Sequence, residues 1–168
     1  MTVINGCALI EATPIRDMIN VKVKENGVSH GLSEVGYDIR IKQDISFYPS
    51  RGGGRIARIE PNEETFYVDG NFILASAIEE FQMPDHLVGI VHDKSTWARK
   101  GLSVFNTVIE PGWRGFLTLE LVYHGFDPLH IEAGSGIAQV IFHQISQPAA
   151  YDGKYQDQAN RPVDATFA

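Results

Sequence analysis

Apolar residues fall in short runs along this chain, several of them alternating with polar ones, and Gly, Pro, Asn and Asp divide the runs at close intervals. That pattern predicts strands joined by tight turns rather than long amphipathic helices. The candidate strands are residues 37–41, 66–68, 72–76, 88–92, 116–123 and 136–143. Residues 8–20 suit a short helix or two turns, because Pro14 interrupts a continuous helix. Residues 97–100 suit a helical turn after Ser95 or Thr96 as N-cap. Many short strands favour a mainly β fold, closed or sandwich-like, over βαβ units.

Other segments read as connections. Residues 50–55, Ser-Arg-Gly-Gly-Gly-Arg, lack the Lys-Ser/Thr ending of a Walker loop and the spacing of a dinucleotide fingerprint, so they read as a hairpin tip. Gly112 and Gly115 bracket a hairpin turn with Trp113 packed over a core edge. Residues 151–161 are poor in apolar side chains and suit either a disordered tail or a lid that a ligand orders. No repeat, heptad or linker divides the chain, which implies one domain over 1–168 with 151–168 as a C-terminal lid or tail.

The chain has 168 residues, the size of one domain burying about two-thirds of its extended surface. Its net charge of −7 argues against a broad basic surface for nucleic acid, so any phosphate must meet a local cluster. Cys7 is the single cysteine, which excludes an intrachain disulfide and a Cys-rich zinc site. His86, His92, His124, His130 and His143 form no HExxH or other compact metal motif and read as scattered surface or packed residues. With no basic segment leading into an apolar run and no bilayer-length stretch, the expectation is a cytoplasmic protein without a membrane partner.

Two regions carry candidate chemistry. In strand 116–123 the alternation puts Phe116, Thr118, Glu120 and Val122 on one face and Leu117, Leu119, Leu121 and Tyr123 on the other. If both faces are covered, Glu120 is partly desolvated and its pKa rises into the range useful for proton transfer. The alternatives are a solvent-facing Glu or one paired with an Arg. Upstream, Lys94, Ser95, Thr96 and Arg99 would group two hydroxyls and two cations around one helical turn, a credible phosphate site or an ordinary loop entering a surface helix. Glu110, just before the 112–115 turn, is open to a direct ligand role.

Four segments together resemble the dCTP deaminase branch of the trimeric dUTPase and dCTP deaminase superfamily: 36–40 (Gly-Tyr-Asp-Ile-Arg), 94–102 (Lys-Ser-Thr-Trp-Ala-Arg-Lys-Gly-Leu), 109–115 running on to Glu120, and 136–139 with the closing segment 151–158. The resemblance implies a distorted, jelly-roll-like β-barrel with short helices, assembled as a homotrimer with sites between subunits. It implies hydrolytic deamination of dCTP to dUTP without zinc, with Mg²⁺ entering on the substrate triphosphate. Glu120 is then the general base and proton shuttle, with Ser95 and Arg99 beside the water and cytosine. Lys94 and Thr96 would contact phosphate, with Val108, Glu110 and Gln139 around the nucleotide. Asp38 would support the fold and the site's surroundings, and Tyr151, Lys154 and Gln158 would fold over the triphosphate.

Three departures qualify the substrate. Glu110 stands where the family usually has Asp, and Lys94 where it has Arg, which loses the bidentate fork. The loop 104–108 is about two residues shorter than is typical. These leave open a bifunctional enzyme that also hydrolyses dUTP, a dUTPase, a deaminase of dCMP or of a 5-substituted cytosine nucleotide, or a silent nucleotide-binding trimer.

Overall fold

Short amphipathic strands bury an apolar face only by pairing and stacking. Here they do so in three sheets whose named ladders are all antiparallel. The computed structural model describes residues 2–167. The largest sheet runs β11 (Val108–Ile109), β9 (Leu87–Asp93), β14 (Gly136–Gln144), β4 (Tyr37–Arg40), β3 (Val28–Leu32) and β2 (Lys22–Glu25), with β1 (Thr2–Ile4) also on β14. A second sheet places β12 (Arg114–Tyr123) between β10 (Leu102–Val104) and β8 (Phe72–Gln82). A third runs β13 (Leu129–Ile131), β5 (Asp44–Tyr48), β6 (Arg55–Ile59) and β7 (Thr65–Asp69).

The six predicted strands are present, and residues 50–55 do join β5 to β6 at a hairpin tip. The strands before residue 35, and β5, β6, β10, β11 and β13 after it, are not among those predicted. β1 and β2 are largely exposed and β2 reads Lys-Val-Lys-Glu, so edge strands of this kind carry little hydrophobic alternation. Helix α1 (Gly6–Ala12) ends where Thr13 turns left-handed, immediately before Pro14. Helix α2 (Ser95–Ala98) corrects the expected cap: Lys94, not Ser95 or Thr96, is the N-cap, and Ser95 is already helical. The 112–115 turn is not a hairpin either, since β11 pairs with β9 and the turn carries the chain from one sheet to another. Trp113 is buried there, with its N–H bonded to Glu110 O at 3.2 Å.

Between the sheets lie Ile39, Ile41, Ile45, Phe47, Ile73, Leu119, Leu121, Ile137, Val140 and Phe142, all essentially without solvent contact. One buried ion pair ties the first two sheets together. Glu79 of β8 accepts the backbone N–H and the Nε–H of Arg40, each at 2.9 Å. Burial pushes the Glu79 carboxyl up, and the Arg40 hydrogen bonds oppose that shift.

Candidate active site

β12 is the central strand of its sheet, and Leu119 and Leu121 hold it in the core while Glu120 faces outward opposite Leu74. Glu120 is half-buried, and burial, with no neighbouring charge to offset it, raises its carboxyl above the ordinary range. The pairing of β12 with β8 shifts register between Phe116 and Thr118. At that irregularity, where β8 carries three residues against the single Leu117, Leu117 lines the same cavity as Thr118 and Glu120, although strict alternation would put it on the opposite face.

The cavity has a volume of about 670 Å³. Its apolar walls come from Phe72, Leu74, Val108, Leu117 and Trp113, and its polar groups include Glu110, Glu120, Asn106, Tyr151 and Gln158. A mostly apolar hollow with a few convergent polar groups is the usual form of a small-molecule site.

The segment after residue 150 closes one side. Tyr151 N–H bonds to Pro111 O at 2.8 Å, Trp113 Nε1–H to Tyr155 O at 2.6 Å, and Phe116 N–H to Gln158 O at 3.0 Å. Gly115 lies alongside Gln158 in a parallel bridge, with a φ of +128°, and a Cβ there would stand 2.4 Å from Gln158 N. Only glycine fits that approach. Further along, Val163 N–H bonds to Thr118 Oγ1 at 3.1 Å. Hydrogen bonds to this segment's backbone, together with Tyr151 packed against the core, lay it along β12.

The loop between β10 and β11 is pinned as well. Val104 N–H donates to Asp93 Oδ1 at 2.7 Å and Phe105 N–H to Glu120 O at 2.8 Å. Asn106 accepts from Glu120 N–H at 3.0 Å and donates to Thr118 O at 2.6 Å.

Behind α2 lies a separate polar cluster. Lys94 Nζ donates to Asp38 Oδ2 at 2.6 Å and to Ser29 Oγ at 3.2 Å, and Gln139 Nε2 donates to Asp38 Oδ1 at 3.2 Å and to Ser33 Oγ at 3.0 Å. One carboxylate thus gathers β3, β4, β14 and the entry to α2.

With this geometry in view, comparison with known proteins is decisive: residues 9–145 match the family model described as dCTP deaminase-like. The chain belongs to the dCTP deaminase-like family. It is 35% identical to the dCTP deaminase of Campylobacter concisus over 89% of this chain and 88% of the relative. It is 37% identical to that of Campylobacter curvus over 78% of each. Among solved structures it is similar in fold to EIAV dUTPase, with a TM-score of 0.52, 19% identity, and coverage of 85% of this chain and 92% of that one. A variant of the Staphylococcus bacteriophage 80alpha dUTPase gives 0.51 at 15% identity, over 80% and 88%. The expected dUTPase-like β fold is therefore the one observed.

The dCTP deaminase-like chain does not bring all of its predicted site residues together. Glu120, Val108, Glu110, Tyr151 and Gln158 line the cavity. Ser95, Thr96 and Arg99 are exposed on α2 and do not line it, and Lys94 and Gln139 are engaged with Asp38. Lys154 lies outside the lining, its ammonium bonded to Thr166 O and 5.2 Å from the Tyr155 ring centroid. Sequence reasoning missed Asn106 and the cavity roles of Leu117, Thr118 and Asp164. No periodicity marks an amide that bonds across a loop, and the register shift that turns Leu117 inward depends on the partner strand.

Proposed function

We infer that this protein is an enzyme that hydrolyses dCTP to dUTP and ammonia, with Glu120 as its proton shuttle. The observation that carries the reading is a partly desolvated carboxylate lining a mostly apolar cavity in a chain of this family. Ionised Glu120 takes a proton from water as its oxygen bonds to cytosine C4. The same carboxyl passes that proton to N3, then takes the second one from the new C4 hydroxyl and gives it to the exocyclic amine, so that C4=O forms as the C4–N bond breaks and ammonia leaves neutral. Cys7, the single cysteine, leaves no His/Cys donor set of the zinc-deaminase kind beside a Glu, so the reaction is read as zinc-independent. Magnesium comes with the substrate, on phosphate oxygens.

The assembly in this reading is a homotrimer. Ser95, Thr96 and Arg99 sit apart from the cavity in their own chain, while Phe72 and Val108 leave apolar surface exposed at its mouth. Closed threefold symmetry lets one copy's α2 complete another's cavity, giving equivalent sites. Ser95 and Arg99 then face the water and base, and Thr96 the phosphates. Lys94 adds the ammonium N–H left over from Asp38 and Ser29, and Gln139 steadies the same cluster. The setting is cytoplasmic; no helix among the described residues is long and apolar enough to cross a membrane.

Ion-exchange separation of products from dCTP and Mg²⁺, beside dCMP and 5-methyl-dCTP, tests the substrate. Formation of dUTP supports the reading, and turnover of another cytosine nucleotide alone overturns dCTP as substrate. Binding without turnover of any nucleotide over long incubation supports the silent nucleotide-binding reading. Glu110 on the same cavity favours one further reading, a bifunctional enzyme in which that carboxylate activates water at the α-phosphate. Its signature is dUMP with pyrophosphate.

Lys154→Ala is expected to raise the KM for dCTP about 10-fold or more, the worth of one charge-assisted phosphate contact, and to change the KM for dCMP far less. Steady-state kinetics on both nucleotides checks this, and equal loss on both removes Lys154 from the triphosphate lid.

A further inference from the structure

β10 ends one residue short of Glu120. Its ladder with β12 pairs Leu102 with Tyr123, Ser103 with Val122 and Val104 with Leu121. The next rung is half made, because Phe105 N–H still reaches Glu120 O at 2.8 Å before the chain departs toward β11. In a complete antiparallel rung the carbonyl of residue 105 would accept the Glu120 N–H, and two residues on, the N–H of residue 107 would donate to Thr118 O. Both places are taken by one side chain. Asn106 Oδ1 accepts the Glu120 N–H at 3.0 Å, and Asn106 Nδ2 donates to Thr118 O at 2.6 Å. A primary amide carries the same donor and acceptor as a peptide group, so it can replace one in a ladder.

We propose that Asn106 is a positioning residue for Glu120, its side-chain amide standing in for the peptide group that the short loop does not supply. Resting on the deaminase reading, the assignment identifies the group that fixes the carboxylate against the base and its water. β8 holds β12 only from the other edge, through pairs that include Glu120 with Leu74 and Thr118 with Ser76. Without Asn106, the Glu120 N–H and the Thr118 carbonyl lose their partners beside the cavity, and the strand can shift there. A displacement of about 1 Å at a reacting group is enough to cost on the order of 100-fold in rate. Hydrophobic contacts to the rest of the nucleotide would be largely unaffected, so the loss falls on kcat more than on KM.

The experiment pairs amide hydrogen exchange at Glu120, which requires no turnover, with steady-state kinetics on dCTP, both in the full chain. In Asn106→Ala the Glu120 amide is expected to exchange at least about 10-fold faster than in the wild type. kcat is expected to fall about 10- to 100-fold, with KM nearly unchanged. Asn106→Leu, close in size and without a hydrogen-bonding group, carries the same expectation should the alanine variant fail to fold. Asn106→Asp retains an oxygen for the Glu120 N–H and is expected to keep that amide protected. Wild-type exchange at Glu120 in the Ala or Leu variant, or kcat and KM worsening in equal proportion, overturns the proposal. A wild-type protein that releases no ammonia from dCTP defeats the deaminase reading instead, and the exchange measurement still decides whether Asn106 holds Glu120.

Discussion

Glu120→Gln is expected to lower kcat on dCTP by about 1,000-fold, the scale of a lost general acid–base group, while KM stays within a small factor. Gln fills the same volume and retains the backbone bonds to Phe105 and Asn106, so the strand and the cavity remain in place. It cannot take a proton from water, and the leaving amine is then not protonated. Product analysis over long incubation, with binding of dCTP measured separately, checks the split. Undiminished turnover would remove Glu120 from the chemistry.

The same substitution has an opposite effect on stability. Burial raises the folded-state pKa of Glu120, which means folding disfavours its ionised form. Relative to a neutral group, its stability is therefore fully retained below the unfolded carboxylate pKa and is lost as pH rises through the raised folded value. At neutral pH the Gln variant is expected to unfold at a slightly higher temperature than the wild type, and the difference should vanish in acid where both side chains are neutral. Activity follows the ionised form and falls as pH drops through the raised pKa. An active-site group that costs stability and supplies rate is the pattern expected of a tuned base.

What the sequence disclosed and what it withheld divide along physical lines. β12 and β14 were legible because central strands must be apolar on their buried faces, and Glu120 stood out as the charge in such a run. β1 and β2 were not, because edge strands exposed to water need no such pattern. Of the cavity residues, Glu110 stood out by its place before the 112–115 turn, whereas Val108, Tyr151 and Gln158 came from motif resemblance, not from periodicity. The sequence left the C-terminal segment open between a tail and a ligand-ordered lid because composition records apolar burial, and what lays this segment against β12 is hydrogen bonding and the missing Cβ of Gly115. The polar joints, Asn106 with Glu120 and Lys94 with Asp38, link residues 14 and 56 positions apart. Such pairs become visible only when the sheets are assembled.

The Lys94–Asp38 joint yields the other large expected effect. Their side chains retain only 10% and 3% of their exposure, so removing one charge strands the other in the interior. Asp38→Ala is expected to destabilise the fold by about 3–5 kcal/mol, lowering the thermal midpoint by roughly 6–20 °C in a chain of this size. Lys94→Met should cost less, because Asp38 keeps Ser29 and Gln139 as donors. The double variant should be more stable than Asp38→Ala alone, since it no longer buries an unpaired ammonium. Thermal unfolding of the three variants at one protein concentration forms a double-mutant cycle, and simple additivity would show that the pair is not coupled. Lys94 is also the residue from which α2 starts. Asp38→Ala should therefore lower kcat/KM even at temperatures where the variant is folded, because the carboxylate that steadies the fold also sets where Ser95 and Arg99 are presented.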